Sequence, residues 1–489
     1  MADIVLVQPS GGVYGKRQIF MPIGLLCASS LLYNEGYKIK IVDLRIEDDW
    51  EKTLLRELKT SPICVGITVM TGIPILDGLK VSKLVKDYNE DIPVVWGGVH
   101  PSILPEQTII NENIDYVVQG EGEYTFCELV KALQNGKTNF CDIEGLWYKE
   151  NSKPKSVPLR EFANLDELPD IPYRLIDIDR YIKTTAYHFE GGMFPLQTSR
   201  GCPFRCTFCY NNTFNRSTWR AMSPERVLEQ IESAVNNYKI KGIGVLDDNF
   251  FVNTKRTDKI LELMEKAGLD IKLYFQGARV DVLHRMSKKQ LQRLERLGVE
   301  YLQIGVESGS QKIIDFIDKR IRIEQVLEIN RKIGEYTNIK PIYNFMIGFP
   351  TETEHDVSLT TRLFIKLLEE NPNALLQQIS VFVPYPGTKI YNLAVKLGFK
   401  PPLTLEEWGS QHWLDLDKRY PWLSKGMKKR IKRVVYASFG ANKNLGEYLD
   451  SRFKRLLFKI YHPLAKLRLK HNFYYFMPEA SLNMLEKLK

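Results

Sequence analysis

The chain has 489 residues, 44% apolar and 26% charged, which is typical of a globular protein and long enough for two or three domains. Residues 425–470 contain 14 Lys and Arg and two acidic residues, a net charge of +12. Because the whole chain has a net charge of +9, the remaining residues together carry −3. This uneven distribution argues against a nucleic-acid-binding body. The sequence has no apolar run of about 18 residues and does not begin with a signal-peptide pattern, so we expect a cytoplasmic location without a membrane span.

Residues 1–135 alternate short apolar runs with helical patterns. Unbroken hydrophobicity is typical of parallel strands buried on both faces. Five such strands with helical crossovers predict a doubly wound, Rossmann-like α/β domain whose ligand lies at the carboxyl ends of the strands. The five runs are DIVLVQP, KIKIVDL, PICVGITV, IPVVWGG and IDYVV.

The loops that follow these strands are rich in Gly, Pro and Thr, and glycine allows a close approach of the backbone to a large ligand. A nucleotide-binding GxGxxG motif is an alternative at Gly120–Gly122. It is disfavoured because the third glycine and an acid about 20 residues further on are missing.

Residues 136–190 predict a hairpin and a Pro-rich linker, and a second series of strands and helices occupies residues 191–383. Six βα units predict a partial (β/α)6 TIM-like barrel with functional groups at the carboxyl ends of its strands. Residues 384–489 form a basic, mainly helical C-terminal region. The six predicted strands are LQTSR, IGVLDD, LYFQGAR, YLQIGVES, IYNFMIGFP and LQQISVFVP.

Three cysteines, Cys202, Cys206 and Cys209, follow the first of these strands with C-x3-C-x2-C spacing. Thiolates are the usual ligands of iron–sulfur clusters, and three of them leave one iron of a [4Fe-4S] cluster open. Structural zinc normally takes four ligands. The nearest histidines in sequence are His188 and His284, so a fourth ligand is lacking nearby and the pattern favours the cluster.

This spacing, with the aromatic Phe208 before the last cysteine, resembles the radical S-adenosylmethionine (SAM) superfamily. The resemblance extends over about residues 1–390. The N-terminal domain resembles the cobalamin-binding domain that precedes such barrels in the class B methyltransferase-like branch. Other segments that resemble this branch are Asp247–Phe250, Arg279–Asp281, Ile304–Gly309, Gly348–Pro350 and Pro384–Thr388.

The resemblance implies a [4Fe-4S] cluster, SAM and cobalamin as cofactors. Arg279 and Glu307 could instead form a salt bridge at the barrel mouth, and Asp247 with Asp248 could cap a helix. The residues implied for SAM are Phe208, Asp247, Arg279, Glu307, Ser308 and Gly348.

For cobalamin, the D-x-H-x-x-G motif that supplies a cobalt ligand is absent, so we expect His100 to line the corrinoid without binding cobalt. The alternative is that this domain has lost the cofactor and serves as a scaffold. The residues implied for cobalamin are Gln8, Pro9, Thr68, Met70, Thr71, Gly97, Gly98, His100, Pro101, Gly120, Glu121 and Gly122.

The resemblance implies methylation of an unactivated carbon by means of methylcobalamin and a 5′-deoxyadenosyl radical. The aromatic content of 11% and the basic amphipathic C-terminal helices favour a bulky, lipid-like substrate. Radical cyclisation or rearrangement without methyl transfer is one alternative. A non-catalytic corrinoid or iron–sulfur sensor is another. An electron donor such as flavodoxin or ferredoxin is expected, and the resemblance assigns no catalytic acid or base.

The C-terminal region predicts basic amphipathic helices. One interpretation is peripheral contact with an anionic membrane, and the other is a cap on the barrel with its basic face in water. Nucleic-acid binding is disfavoured by the acidic body. The residues expected on the apolar face are Phe453, Leu456, Leu457, Ile460, Leu464 and Leu467.

Overall fold

The computed structural model describes residues 2–12, 19–184, 193–411, 415–442 and 452–474, apart from the side chains of Phe453 and Lys454. The chain groups into two compact units. The first unit contains the described residues up to Pro195, Thr213–Arg216 and the described residues within Pro401–His412. The second unit contains all other described residues. No helix in the described ranges has both the length and the apolar character needed to span a bilayer.

The first unit is built on a parallel sheet in the order β2-β1-β3-β4-β5, and its strand cores are buried. The order reverses between β1 and β3, where doubly wound sheets bind their ligands. The strands are β1 (Ile4–Gln8), β2 (Ile39–Asp43), β3 (Cys64–Thr68), β4 (Val94–Gly97) and β5 (Tyr116–Val118), and the helices are α1 (Ile23–Asn34), α2 (Trp50–Leu58), α3 (Pro74–Tyr88), α4 (Val99–Ile103), α5 (Pro105–Ile109) and α6 (Glu123–Gln134).

The hairpin expected within residues 136–190 forms as β6 (Leu146–Glu150) and β7 (Lys153–Ser156). It extends the first sheet, since β6 pairs antiparallel with β5. The apolar side chains of β6 make this pairing favourable, because Leu146 and Tyr148 are buried against the sheet's core. Helix α7 (Ile178–Thr184) follows.

The second unit contains a sheet in the order β11-β12-β13-β14-β15, with β16 beside β14 and with Leu196, the last residue of β8, next to β11. The strands from β11 to β15 pair in parallel. This is the expected partial barrel. The strands are β8 (Phe194–Leu196), β11 (Gly242–Val245), β12 (Lys272–Arg279), β13 (Val299–Glu307), β14 (Lys340–Ile347), β15 (Leu375–Leu376) and β16 (Ser380–Val381), with a separate antiparallel pair of β9 (Ser199–Gly201) and β10 (Trp219–Ala221).

Helices flank these strands, and the residues at the helix ends are typical of helix caps. Ser223 caps the first long helix of this unit by accepting from the Arg226 N–H, and a left-handed Gly268 ends the next. The helices are α8 (Asn211–Phe214), α9 (Pro224–Tyr238), α10 (Thr254–Ala267), α11 (Val280–Arg285), α12 (Lys288–Arg296), α13 (Gln311–Phe316), α14 (Ile323–Gly334), α15 (Glu354–Glu370), α16 (Lys389–Lys396), α17 (Leu405–Gly409, in the first unit), α18 (Leu416–Arg419), α19 (Lys425–Ala441) and α20 (Arg452–His471).

Two predicted strands differ from the observed ones. The segment LQTSR divides between β8 and β9, so Ser199 lies in the small antiparallel pair. The segment LQQISVFVP breaks into β15 and β16, because the Ile379 N–H donates to the Ser438 hydroxyl of α19 at 3.0 Å. A side chain takes the place of a strand partner there.

Candidate functional site

The loop after β1 in the first unit is held by a carboxylate. Asp77 of α3 accepts hydrogen bonds from the Ser10 N–H at 3.1 Å, the Ser10 hydroxyl at 2.5 Å and the Gly11 N–H at 3.3 Å. Gln8 and Pro9 lead directly into this loop, at the end of the strand beside the point where the sheet order reverses.

The loops after β4 and β5 are joined through Ser102. Its hydroxyl donates to the Gly98 carbonyl at 2.6 Å and accepts from the Gly120 N–H at 2.9 Å. The Gln119 side chain donates to the Ser102 carbonyl at 3.1 Å. The structure therefore brings the Gly97–Gly98 and Gly120–Gly122 loops together, as expected of one binding edge.

Gly98 lies where backbone segments approach closely. Its φ is +97°, and a Cβ there would lie 2.9 Å from the Thr68 hydroxyl and 3.0 Å from the backbone of Val69. Glycine at position 98 therefore lets the loop after β4 approach the end of β3 closely, while the Met70 side chain is 63% exposed. Backbone-lined loops with an exposed apolar side chain fit the flat face of a corrinoid.

His100 is buried within this edge and does not project from it. Its Nδ1 lies 3.1 Å from the Thr71 hydroxyl, and the ring packs edge-on against Trp408 with centroids 5.8 Å apart. Its Nε2 has no hydrogen-bond partner among the described residues. His100 therefore packs between the loop and Trp408, and both its contact with the corrinoid and the absence of a bond to cobalt stay predictions.

Burial lowers the pKa of His100 to about 4. An unfolded histidine takes up its proton near pH 6.5, so the folded state loses stability as the pH falls from about 6.5 to about 4, by about 3 kcal/mol. We expect urea unfolding of the apoprotein at a series of pH values to show this loss, and His100→Gln to reduce it. His355→Gln, a change at an exposed histidine, should leave the profile unchanged. Equal profiles for His100→Gln and wild type would contradict the assignment.

In the second unit, the cysteine loop is shaped by its own backbone. The Cys209 N–H donates to the Cys206 carbonyl at 3.1 Å, and the Asn212 side chain donates to the same carbonyl at 2.7 Å. The Thr207 N–H donates to the Ile317 carbonyl at 2.9 Å, which ties the loop to the end of α13. Cys202, Cys206 and Cys209 are free thiols, as cluster ligands must be.

Within the described residues, no three His, Cys, Asp or Glu side chains converge as ligands of a single metal ion. A [4Fe-4S] cluster does not require such convergence, because each thiolate binds a different iron. Three free thiols in one loop therefore fit a [4Fe-4S] cluster. Burial raises the pKa of the Cys209 thiol to about 11, so binding iron must displace its proton.

Two side chains place donors near the thiols. The Asn249 amide nitrogen lies 3.8 Å from Cys202 Sγ, and Arg279 Nη1 lies 3.8 Å from Cys206 Sγ. Arg279 also stacks over the Phe204 ring, with 3.5 Å between its guanidinium carbon and the ring centroid. Hydrogen bonds to ligand sulfur tune the reduction potential of a cluster. Sequence reasoning missed Asn249 and Phe204, although both lie in segments that were quoted for the resemblance.

Arg279 and Glu307 do not pair with each other, which corrects the salt bridge considered between them. Arg279 Nε donates to Asp281 at 2.9 Å and its Nη2 to the Lys319 carbonyl at 2.7 Å. Glu307 pairs instead with Lys319, with 2.7 Å between Oε1 and Nζ. Two buried cations, Arg279 and Lys319, therefore lie near Cys206, and each is paired with a carboxylate of its own.

Glu307 occupies an unusual position at the end of β13. Its φ is +75°, and a Cβ at Gly305 would lie 2.4 Å from its carboxylate, so Gly305 makes room for the side chain. Burial alone would lower the pKa of Lys319, but the Glu307 carboxylate raises it above its usual range. Lys319 was also missed, because it lies after α13 and belongs to no recognisable motif.

Asp247 is fully buried and bound within the protein. Its carboxylate accepts from the Thr198 N–H at 2.6 Å, the Thr198 hydroxyl at 2.7 Å and the Ser199 hydroxyl at 2.6 Å. It caps no helix, since Asn253 caps α10. Asp248 accepts from the Gly201 N–H at 3.0 Å, next to Cys202. The two acids therefore hold the entry to the cysteine loop, and a contact between Asp247 and SAM stays a prediction.

Phe208, Ser308 and Gly348 also lie in this unit. Phe208 packs edge-on against Phe349 with centroids 6.1 Å apart. The Ser308 and Thr360 hydroxyls share a hydrogen bond of 3.1 Å. The Gly348 N–H donates to Glu352, and its carbonyl accepts from Trp422 at 3.1 Å. Ser308 and Gly348 thus have protein partners for their polar atoms, and their roles towards SAM stay predictions.

Comparison with known proteins supports both units. Residues 196–364 match the radical SAM superfamily, and residues 17–130 match the B12 binding domain. An uncharacterised methyltransferase of Pyrococcus horikoshii is 34% identical over 421 residues, covering 86% of this chain and 87% of its own. The hopanoid C-3 methylase of Methylococcus capsulatus is 27% identical, with 80% and 72% covered.

Among solved structures, the cobalamin-dependent SAM radical enzyme OxsB, with aqua-cobalamin and SAM bound, shares the fold. The TM-score is 0.75 at 20% identity, over 99% of this chain and 74% of OxsB. The expected fold class is thereby confirmed, and the expected cofactor set of a [4Fe-4S] cluster, SAM and cobalamin is that of the matched family. The chain belongs to the radical SAM superfamily, in the branch that carries an N-terminal B12-binding domain.

Proposed function

We propose that the chain methylates an unactivated carbon of a bulky, lipid-like substrate. The observation that carries the proposal is the 34% identity with a methyltransferase over most of both chains. The three-cysteine loop of the second unit and the loops of the first unit that fit a corrinoid support it. Similarity to a hopanoid methylase favours a lipid-like acceptor. With its cofactors bound, such an enzyme would have a 5′-deoxyadenosyl radical to activate the substrate carbon and a methyl group to place on it.

The residues of the second unit have defined tasks in this proposal. Cys202, Cys206 and Cys209 would hold the cluster and leave one iron for SAM. Arg279 would balance negative charge beside Cys206 and keep the loop in place through Phe204. Lys319 would hold Glu307 in the orientation from which its second carboxylate oxygen can accept a hydrogen bond from SAM.

Aromatic packing next to the cysteine loop would keep water from the reactive centre. Phe208 contacts Phe349, which stacks on Phe382 with centroids 5.0 Å apart. Phe382 in turn lies 6.5 Å from Trp422. Exclusion of water protects a carbon radical from side reactions. Flavodoxin or ferredoxin would supply the electron.

In the first unit, the loops joined by Ser102 and the close approach at Gly98 would form the platform for cobalamin. Thr68, Met70 and Thr71 would contact the corrinoid from the β3 loop, and Glu121 would do so from the β5 loop. His100 and Pro101 are buried and would support the platform from below.

The test is anaerobic reconstitution with iron, sulfide and cobalamin, followed by reaction with trideuteromethyl-labelled SAM and a lipid extract of the source cells. We expect 5′-deoxyadenosine, S-adenosylhomocysteine and a lipid that carries one labelled methyl group. If 5′-deoxyadenosine forms and no label enters the product, cyclisation or rearrangement replaces the methylase. If no 5′-deoxyadenosine forms, the sensor hypothesis replaces both.

A further inference from the structure

Helix α20 has two apolar faces, and among the described residues one of them is buried while the other is largely exposed. Its inner face is buried, with Ala465 and Leu469 fully enclosed and Phe458 nearly so. The inner face packs closely on α19, because a Cβ at Gly440 would lie 2.3 Å from the Tyr461 ring. The His462 Nδ1 lies 3.0 Å from the Gly440 carbonyl, which fixes the helix rotation.

The other face, here called the outer stripe, consists of Leu456, Ile460, Leu464 and Leu467. Spacings of four, four and three residues place them in one row along the helix. Their exposed fractions are 56%, 66%, 41% and 53%. Four neighbouring large apolar side chains exposed in a row mark an interaction surface. Of the other residues expected on this face, Leu457 is half-buried, and the side chain of Phe453 lies outside the described part.

Basic residues run along one side of the outer stripe. Arg455, Lys459 and Lys466 form this basic edge. The helix contains no Asp or Glu and seven Lys and Arg over residues 452–471. Among them, Arg468 is buried, and Lys470 pairs with Glu369 of α15 at 2.6 Å.

We propose that the outer stripe and the basic edge of α20 dock the enzyme on an anionic membrane surface. The apolar row would enter the boundary between headgroups and acyl chains with the helix axis in the membrane plane, and the basic edge would contact lipid phosphates. A protein partner could cover an apolar row too, but an acid-free helix with cations along that row is complementary to a surface of uniform negative charge. The inference concerns binding alone and does not depend on the reaction proposed above.

The test measures flotation of the full chain with vesicles of phosphatidylcholine alone and of phosphatidylcholine mixed with phosphatidylglycerol. We expect binding to the mixed vesicles only, and weaker binding at high salt. The double variant Ile460→Ser, Leu464→Ser should bind about a hundredfold more weakly, since each large apolar side chain contributes about tenfold. Lys459→Glu, Lys466→Glu should also bind more weakly and lose the salt dependence.

Two controls match these variants. Ile110 and Leu403 are as exposed as the stripe, at 60% and 77%, and lie outside α20. Ile110→Ser, Leu403→Ser should therefore bind as the wild type does, and so should the charge-matched Lys153→Glu, Lys255→Glu. A thermal melt of each variant checks that it is folded.

Three results would overturn the proposal. The wild type fails to bind mixed vesicles, or the stripe and control variants bind equally well. The third is a concentration-dependent dimer that Ile460→Ser, Leu464→Ser converts to a monomer without any vesicle binding, which would assign the stripe to a second copy of the chain.

Discussion

Cys206→Ala is expected to abolish 5′-deoxyadenosine formation and to remove most of the iron bound after reconstitution. In the proposed cluster site, Cys206 would supply one of three thiolates, and its side chain is buried, so water has little access to replace it. Product is measured by mass spectrometry, and iron and sulfide by analysis of the desalted protein. The loss of activity should reach the level of a reaction without enzyme.

Cys141→Ala is the matched control, because Cys141 is a free and exposed cysteine of the first unit. This variant should keep wild-type iron content and activity. A Cys206→Ala protein that still forms 5′-deoxyadenosine would contradict the cluster assignment. Equal iron content in Cys206→Ala and the wild type would instead show that the reconstitution procedure loads iron non-specifically.

Lys319→Met is expected to destabilise the second unit by about 3–5 kcal/mol, because it leaves the buried Glu307 carboxylate without its cation. Glu307 has an exposed fraction of 7%, so water has little access to solvate its carboxylate in place of the lysine. Its backbone is also strained, with a positive φ. The change is measured by urea unfolding of the apoprotein at neutral pH. The variant should also bind SAM more weakly, and equilibrium binding of SAM to the reconstituted protein measures this loss of affinity.

The double variant Lys319→Met, Glu307→Gln separates the ion pair from simple packing. Removal of both charges should restore much of the stability, whereas affinity for SAM should stay low if Glu307 contacts the cofactor. Lys266→Met, at an exposed lysine paired with Glu262, should leave unfolding unchanged. A Lys319→Met protein as stable as the wild type would contradict the role of the pair.

Much of the fold follows from local patterns. The apolar runs predicted all five parallel strands of the first unit, since a strand covered by helices on both faces has no polar side. The same logic located the partial barrel. It failed at LQQISVFVP, where Ser438 from a distant helix takes the Ile379 N–H. The sequence LQQISVFVP does not itself show that the Ile379 N–H donates to a side chain from a distant helix.

The candidate site divides in the same way. The cysteine spacing is a local feature, so the loop was located from sequence. The partner of Glu307 was not, because Lys319 comes from a segment whose position depends on the packing of α13. From the sequence, Asp247 was likewise predicted to contact SAM or to cap a helix. In the structure its carboxylate accepts hydrogen bonds from Thr198 and Ser199 and so connects the segment after β11 to the segment after β8.

By itself, the sequence determined the two α/β units, the loop that holds the three cysteines and the amphipathic character of the C-terminal region, because each depends on residues close together in the chain. Tertiary structure alone decided which charges meet beside Cys206 and which apolar face of α20 is left exposed. Both outcomes depend on contacts between segments distant in sequence, where burial and pairing energies select among partners that look equivalent along the chain.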